Sequence, residues 1–261
     1  MRNAQTLIDK RRDEIVNILA RDGFVKVKKL SELTNTSTLT IRRDLDALEL
    51  ENKVERFYGG ASIKRKKEED NIFSSEMTLH KQAIARHAAQ YVEDGDTIFI
   101  NTSSTALAIL PYIQASQVTV ITNNLKAIFS ERPRDLQLVL TGGELRFPKE
   151  SIVGTFAINN LNKVTASKCF LGCNGISVEE GLTTSVLHEA TINSLMLTRV
   201  TGSRYVLVDK TKIGQKVNFT YGSLDEVSCL ITDEEAPQDV LNKLPKHIEI
   251  VRVPLKQKAT E

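Results

Sequence analysis

Only three cysteines and four histidines occur among the 261 residues. Cys169 and Cys173 lie four apart, but no His or Cys flanks them or Cys229 at zinc-ligand spacing, so buried free thiols in a reducing cytoplasm are expected. His80, His87, His188 and His247 share no metal spacing. No stretch approaches the roughly 20 apolar residues that cross a bilayer, which argues against a membrane protein. Met1 to Lys10 carries charge without an apolar segment and does not read as a signal peptide. Paired carboxylates are missing too. The isolated acids and bases that could move a proton beside a carbonyl are Glu144, Glu179, Glu180, Glu189 and His188. No metal, cofactor or catalytic residue is therefore expected.

What is present is an uneven charge. Residues 1–67 hold 16 Lys+Arg against 10 Asp+Glu, and the remainder holds 19 against 23. A basic small end on an acidic large end suggests a polyanion-binding module joined to something with another task. The length suits two domains. The expected layout is a DNA-binding domain over 1–63, a linker over 64–75, a larger α/β domain over 76–255 and a frayed tail over 256–261.

Arg11 to Asp22 carries Ile15, Ile18 and Leu19 at helical spacing, with Gly23 where a C-cap belongs. Phe24-Val25-Lys26 reads as a short link. Val27, Leu30 and Leu33 mark a two-turn helix, Thr34-Asn35-Thr36 a tight turn, and Ser37 a cap on a third helix reaching about Glu51. Its inward stripe is Ile41, Leu45 and Leu48. This is the helix-turn-helix plan, whose second member lies in the major groove. Counting 100° per residue from Ile41 puts Arg42 on the flank and Arg43 nearly opposite. Ser37, Thr38 and Thr40 stand in the first turn, able to meet phosphate oxygens, and arginine can bond guanine bidentately or grip phosphate. Asp44 is expected to orient an arginine. A solvated three-helix bundle would share the apolar stripe, but not the coincidence of turn, cap and arginine pair. Lys53 to Ile63 reads as a hairpin turning at Gly59-Gly60, a wing whose Lys53, Arg56 and Tyr58 either rest on DNA or merely close the small core.

The run Ser37-Thr38-Leu39-Thr40-Ile41-Arg42-Arg43-Asp44-Leu45, followed by Arg56-Phe57-Tyr58-Gly59-Gly60-Ala61, resembles the DeoR family of bacterial transcriptional regulators. Tyr58 stands where that family commonly has His.

Lys64 to Asp70 is a basic cluster running into an acidic one, read as a solvated hinge, with a helix resuming near Glu76. From Lys81 helix-like and strand-like segments alternate. Strands are expected at 97–100, 118–121, 136–140, 169–172, 205–208 and 229–231, with helices at 104–113 and from Leu125. This implies parallel strands with helices on both faces, and a ligand at their carboxyl ends. Those ends are small and polar: Asn101-Thr102-Ser103-Ser104-Thr105, Thr122-Asn123, Gly142-Gly143, Gly172 with Asn174, and Asp209 with Lys212. Together they suggest a pocket for a phosphate, with Lys212 pairing a phosphate or a carbonyl oxygen and Asp209 holding a sugar hydroxyl.

The resemblance extends along these segments, including Asp96 to Ile100, Gly181-Leu182-Thr183 and Lys212-Ile213-Gly214. It implies a winged helix-turn-helix joined to an α/β sensor similar to sugar-phosphate isomerases and CoA transferases. It implies a homo-oligomer (dimer or tetramer) on double-stranded operator DNA, controlled by a phosphorylated sugar. The family's phosphate loop usually reads Asp-x-Gly-Thr-Thr; here Asn101 replaces the Asp and Ser103 the Gly, so Ser103 must take φ > 0 or the loop is reshaped. The alternative function is a sugar-phosphate isomerase-like enzyme with a DNA-binding appendage.

Overall fold

In a computed structural model the chain divides into two compact units, Met1–Ser75 and Glu76–Glu261. The structure describes residues 2–22, 25–51, 53–57, 59–63, 70–147 and 149–255, without the side chains of 2–7, 9, 20–22, 57, 63 and 70–78. Tyr58, most of the hinge and the tail 256–261 lie outside the described residues.

The first unit comprises α1 (Arg2–Asp22), β1 (Val25–Lys26), α2 (Val27–Leu33), α3 (Thr38–Leu50), β2 (Val54–Phe57) and β3 (Gly60–Ile63). Ile15, Ile18 and Leu19 of α1 meet Val27 and Leu30 of α2 and Ile41, Leu45 and Leu48 of α3 in one apolar cluster, which Val54 and Ala61 close from below. Leu33, expected in that stripe, is exposed. The turn between α2 and α3 bends through Asn35 at φ 47°, a left-handed conformation that asparagine tolerates. β2 and β3 pair antiparallel from Val54↔Ile63 to Phe57↔Gly60, with Gly59 at φ 79°. The expected link is a correction: Val25 and Lys26 form a third strand against Ala61 and Gly60. Two residues show no period, so only the partner strand defines them.

The second unit begins within α4 (Asp70–Ala88), which starts six residues before the expected Glu76. There follow β4 (Thr97–Ile100), α5 (Ser104–Leu107), β5 (Thr119–Thr122), β6 (Gln137–Leu140), β7 (Glu144–Arg146), β8 (Ser151–Val153), α6 (Thr155–Leu161), β9 (Lys168–Leu171), β10 (Gly175–Ser177), β11 (Gly181–Thr184), α7 (Leu187–Thr198), β12 (Arg204–Leu207), β13 (Phe219–Gly222), β14 (Cys229–Asp233), α8 (Gln238–Leu241) and β15 (Glu249–Val253). Seven strands form one parallel sheet in the order β15-β14-β12-β9-β4-β5-β6. Along β4, Ile98 and Ile100 join the cluster containing Ile84 and Ala85 of α4, while Phe99 joins the one containing Ala157 of α6 and Met196 of α7. Both faces are therefore covered, as parallel sheets require. Phe170 stacks on Tyr205 with centroids 4.8 Å apart. Two antiparallel sheets, β10-β11-β13 and β7-β8, add Ile176, Leu182, Tyr221 and Val153 to the Phe99 cluster.

The expected helix 104–113 is shorter. Pro111 lacks an N–H and its ring would strike the carbonyl of Leu107, so α5 ends there and a 3-10 turn follows at Leu110–Tyr112. The helix expected from Leu125 is a 3-10 turn, Leu125–Phe129. Among the described residues no helix is long and apolar enough to cross a membrane. Burial pushes the thiols of Cys169, Cys173 and Cys229 up to about 12, so they are held as free thiols.

The strand order places a switch point at the centre. From β4 the chain steps outward through β5 and β6, then returns to β4's other side at β9 and continues outward through β12, β14 and β15. Connections leave the carboxyl ends of β4 and β9 in opposite senses, which opens a crevice between them.

Candidate DNA-reading helix and ligand cavity

In the first unit, the Ser37 hydroxyl accepts the Thr40 N–H at 3.2 Å and lies 2.9 Å from the Thr40 hydroxyl, setting the start of α3. Thr38, Arg42 and Arg43 are exposed, and Thr40 is half-buried. No ion pair engages Arg42 or Arg43 among the described residues. Asp44 takes a different part. It is buried, and its carboxylate accepts Arg11 Nε at 2.6 Å, Arg11 Nη2 at 3.2 Å and Arg12 Nε at 3.4 Å. The arginines that Asp44 orients thus belong to α1, and the bond fixes α3 against that helix. On the wing, Arg56 pairs with Asp46 of α3, and Lys53 Nζ lies 2.7 Å from Glu51. Both cations pair with acids at or beside α3 while remaining partly exposed. Leu39, which the sequence did not single out, is exposed in the same first turn.

In the second unit, a cavity of about 340 Å³ opens at the ends of β4, β9 and β12. It brings together nine residues named from sequence: Asn101 to Thr105, Gly172, Asn174, Asp209 and Lys212. Asn101 is 1% exposed. Its Nδ2 donates to the Gly172 carbonyl (2.8 Å) and to Asn193 Oδ1 (3.2 Å), and its Oδ1 accepts from Gly172 N (3.1 Å) and Ser103 N (3.2 Å). Two donors and two acceptors are the whole capacity of a side-chain amide. Asn101 therefore clamps the end of β4 to that of β9.

Ser103 has φ −63°, so no left-handed residue is needed here; its hydroxyl caps α5 by accepting the Ala106 N–H at 3.3 Å. The demand for glycine falls on Gly172 instead, where a Cβ would lie 2.0 Å from Ser103 Oγ. Asp209 Oδ1 accepts the Thr211 N–H at 3.0 Å and also the Thr211 hydroxyl, shaping the turn that presents Lys212.

Thr122, Asn123, Gly142 and Gly143 do not line the cavity. Thr122 and Asn123 are fully buried. The β7-β8 hairpin covers the end of β5, where Ile152 N–H donates to the Asn123 carbonyl at 2.7 Å; Gly142 and Gly143 are exposed and lead into β7, and a Cβ on Gly143 would meet the Val153 carbonyl at 2.4 Å. The sequence missed Lys81 on α4, Lys126, Lys149, and Asn193 on α7, and weighed Glu189 of α7 only as an isolated acid; all five line the cavity. Glu189 and Asn193 stand four apart on α7, but His188, Thr191 and Ser194 are polar there too, so the spacing gives no distinct signal. Four lysines against Glu189 and Asp209 leave the walls cationic.

Each unit has known relatives. The profile of the DeoR-like helix-turn-helix domain matches residues 11–67, and that of the DeoR C terminal sensor domain matches residues 76–234. The chain is 33% identical over 257 residues to YulB, an uncharacterized HTH-type transcriptional regulator of Bacillus subtilis (strain 168), covering 97% of this chain and 99% of that one. It is 30% identical to the HTH-type transcriptional regulator GolR of Listeria innocua, covering 89% of this chain and 93% of that one. It is 31% identical to the lactose phosphotransferase system repressor of Staphylococcus aureus (strain N315), covering 92% and 98%. Among solved structures, ribose 5-phosphate isomerase A from Methanocaldococcus jannaschii overlays with a TM-score of 0.38 and 19% identity, covering 52% of this chain and 54% of that one, too remote to bear on activity. With both domains matched in order and relatives aligned along nearly its whole length, the chain belongs to the DeoR family of helix-turn-helix transcriptional regulators, a DNA-binding regulator with a sensor domain and not an enzyme.

Proposed function

We propose that this regulator represses genes of carbohydrate catabolism from the cytoplasm, as a homo-oligomer, dimeric or tetrameric, whose operator affinity falls when a phosphorylated sugar enters the cavity. The observation that carries this reading is the cavity wall: Lys81, Lys126 and Lys212 form no ion pair among the described residues, and they surround hydroxyl and amide groups at the sheet's switch point. Such a wall suits a phosphate monoester dianion. The name of the staphylococcal relative, a repressor of a lactose phosphotransferase system, supports the same sign and substrate class. A closed oligomer would set two or more copies of α3 on repeated half-sites. The ligand acts by the difference of its affinities for the DNA-competent and DNA-incompetent arrangements.

The test pairs two variants with a duplex from the gene's own upstream region. Arg43→Ala is expected to weaken binding by about 5- to 100-fold, the range of one lost base or phosphate contact, and to leave thermal shifts by hexose phosphates unchanged. Lys212→Ala is expected to bind the duplex normally and to lose those shifts. Operator affinity should also fall steeply with salt. Folded protein that ignores the duplex at low ionic strength refutes the reading.

A further inference from the structure

Glu189 stands in the first turn of α7, with 3% of its side chain exposed, and lines the cavity. Its Oε2 accepts Lys149 Nζ at 3.1 Å and the Thr184 hydroxyl at 3.4 Å. Its Oε1 is buried and has no hydrogen-bond partner among the described residues. An ionised oxygen left unbonded away from water is costly, and buried polar atoms are otherwise almost always satisfied. A pure ion pair with Lys149 does not account for it, because that lysine is 40% exposed and engages only the other oxygen. One turn along α7 lies Asn193, also buried and also in the cavity wall. Its Oδ1 is held by Asn101, and its Nδ2 meets no acceptor among the described residues. Residues four apart on a helix stand about 5–6 Å apart on one face. α7 therefore shows the cavity one unused acceptor beside one unused donor.

We infer that Glu189, steadied by Lys149, is the specificity-determining residue that takes a hydroxyl of the ligand, with Asn193 donating to a hydroxyl next to it. This rests on the proposed sensing of a phosphate ester and names its other end. A hydroxyl both donates and accepts, so two neighbouring hydroxyls match the Glu189–Asn193 pair, whereas an ammonium group would satisfy only the carboxylate. The ligand class is a polyhydroxylated phosphate monoester: lysines hold the anion and α7 reads the carbon chain. A plain alkyl phosphate or a free phosphate ion would leave Oε1 orphaned.

The experiment is calorimetric titration of the full chain with inorganic phosphate, hexyl phosphate, and three hydroxylated hexose esters: glucose 6-phosphate, fructose 6-phosphate and glucitol 6-phosphate. The best hydroxylated ester is expected to bind at least tenfold more tightly than hexyl phosphate, as a hydrogen bond to a charged group allows. Glu189→Gln, nearly isosteric, is expected to remove that preference by about tenfold while hexyl phosphate and inorganic phosphate bind as before. Every titration of the variant is run below its own melting point, with the wild type at the same temperature, so that a loss of fold is not read as a loss of preference. A preference that survives the substitution, or an equal loss for hexyl phosphate, overturns the inference while leaving anion sensing intact. If none of the five phosphates binds the wild-type chain, the sensing reading falls and this inference with it.

Discussion

Replacing Asn101 by Asp would restore the residue usual in the family's phosphate loop, yet the geometry predicts that it harms this chain. A carboxylate has no hydrogen to give. It would lose the bonds to the Gly172 carbonyl at 2.8 Å and to Asn193 Oδ1 at 3.2 Å, and set bare oxygens against each other at a site 1% exposed. Two net hydrogen bonds amount to about 2 kcal/mol, and a buried charge facing acceptors adds about 2 more. Turning over the Asn193 amide would recover about 1 kcal/mol, leaving a deficit of about 3. Protonating the carboxyl at pH 7.5 would cost about 5 kcal/mol, at roughly 1.36 per unit above 3.9. The group therefore stays ionised, and its folded-state pKa rises by about two units. In a unit the size of Glu76–Glu261, each kcal/mol lowers Tm by about 2–4 °C, so the expected loss is about 6–12 °C. The sign with pH follows. Because the introduced carboxyl has a raised folded pKa, the deficit is complete above about pH 6 and shrinks as pH falls towards about 3.9. The chain has no tryptophan, so urea unfolding followed by far-UV circular dichroism between pH 5 and 8 is the assay. Equal stability at pH 7.5, or a deficit independent of pH, refutes the clamp.

Three further expectations concern other elements. Asp44→Ala should destabilise the first unit by about 2 kcal/mol, less than a fully buried pair because Arg11 and Arg12 are about a quarter exposed, and should reduce DNA affinity without removing a DNA contact; hydrogen exchange in α1 and α3 that matches wild type would contradict it. Gly172→Ala should cost about 1–3 kcal/mol through the clash with Ser103, and Ser103→Gly in the same chain should restore most of the lost Tm; a double variant no better than the single one would reject the contact. Burial pushes Asp96 up, but hydrogen bonds from Lys168, Ser167 and the Glu93 N–H outweigh it and hold the carboxyl below its usual value. Its contribution is thus complete above about pH 4 and lost as pH falls through the lower folded value, so acid unfolding of Asp96→Asn, compared with wild type, should lack that part of the loss.

How far sequence could reach depended on how local each cause was. The α3 start was legible because Ser37, the turn and the helix lie within a few residues, and cap chemistry is local. The central strands were legible as short apolar runs, and the cavity segment 101–105 as a polar strand end. β1 was not, since Val25 and Lys26 are a strand only because β3 lies beside them. β15, last in the sheet order and with only Val253 of its five residues buried, gave no clear run. The strand-end rule also named Thr122, Asn123, Gly142 and Gly143, because nothing in those residues announces that the β7-β8 hairpin will bury the first two and take the glycines as its entry. Lys81, Lys126, Lys149 and Glu189 were invisible as a group, because separate crossovers deliver them to one place.

The same strand order dictates a schedule during synthesis. The first unit has its own core and is complete by Ile63, whereas β4 waits for β9 some seventy residues further on, and the cavity waits for Lys212. At about 5–20 residues per second, the ribosome needs roughly 7–30 s to travel from Ile63 to Lys212. A first unit that folds as it emerges would thus precede the proposed ligand cavity in every newborn molecule.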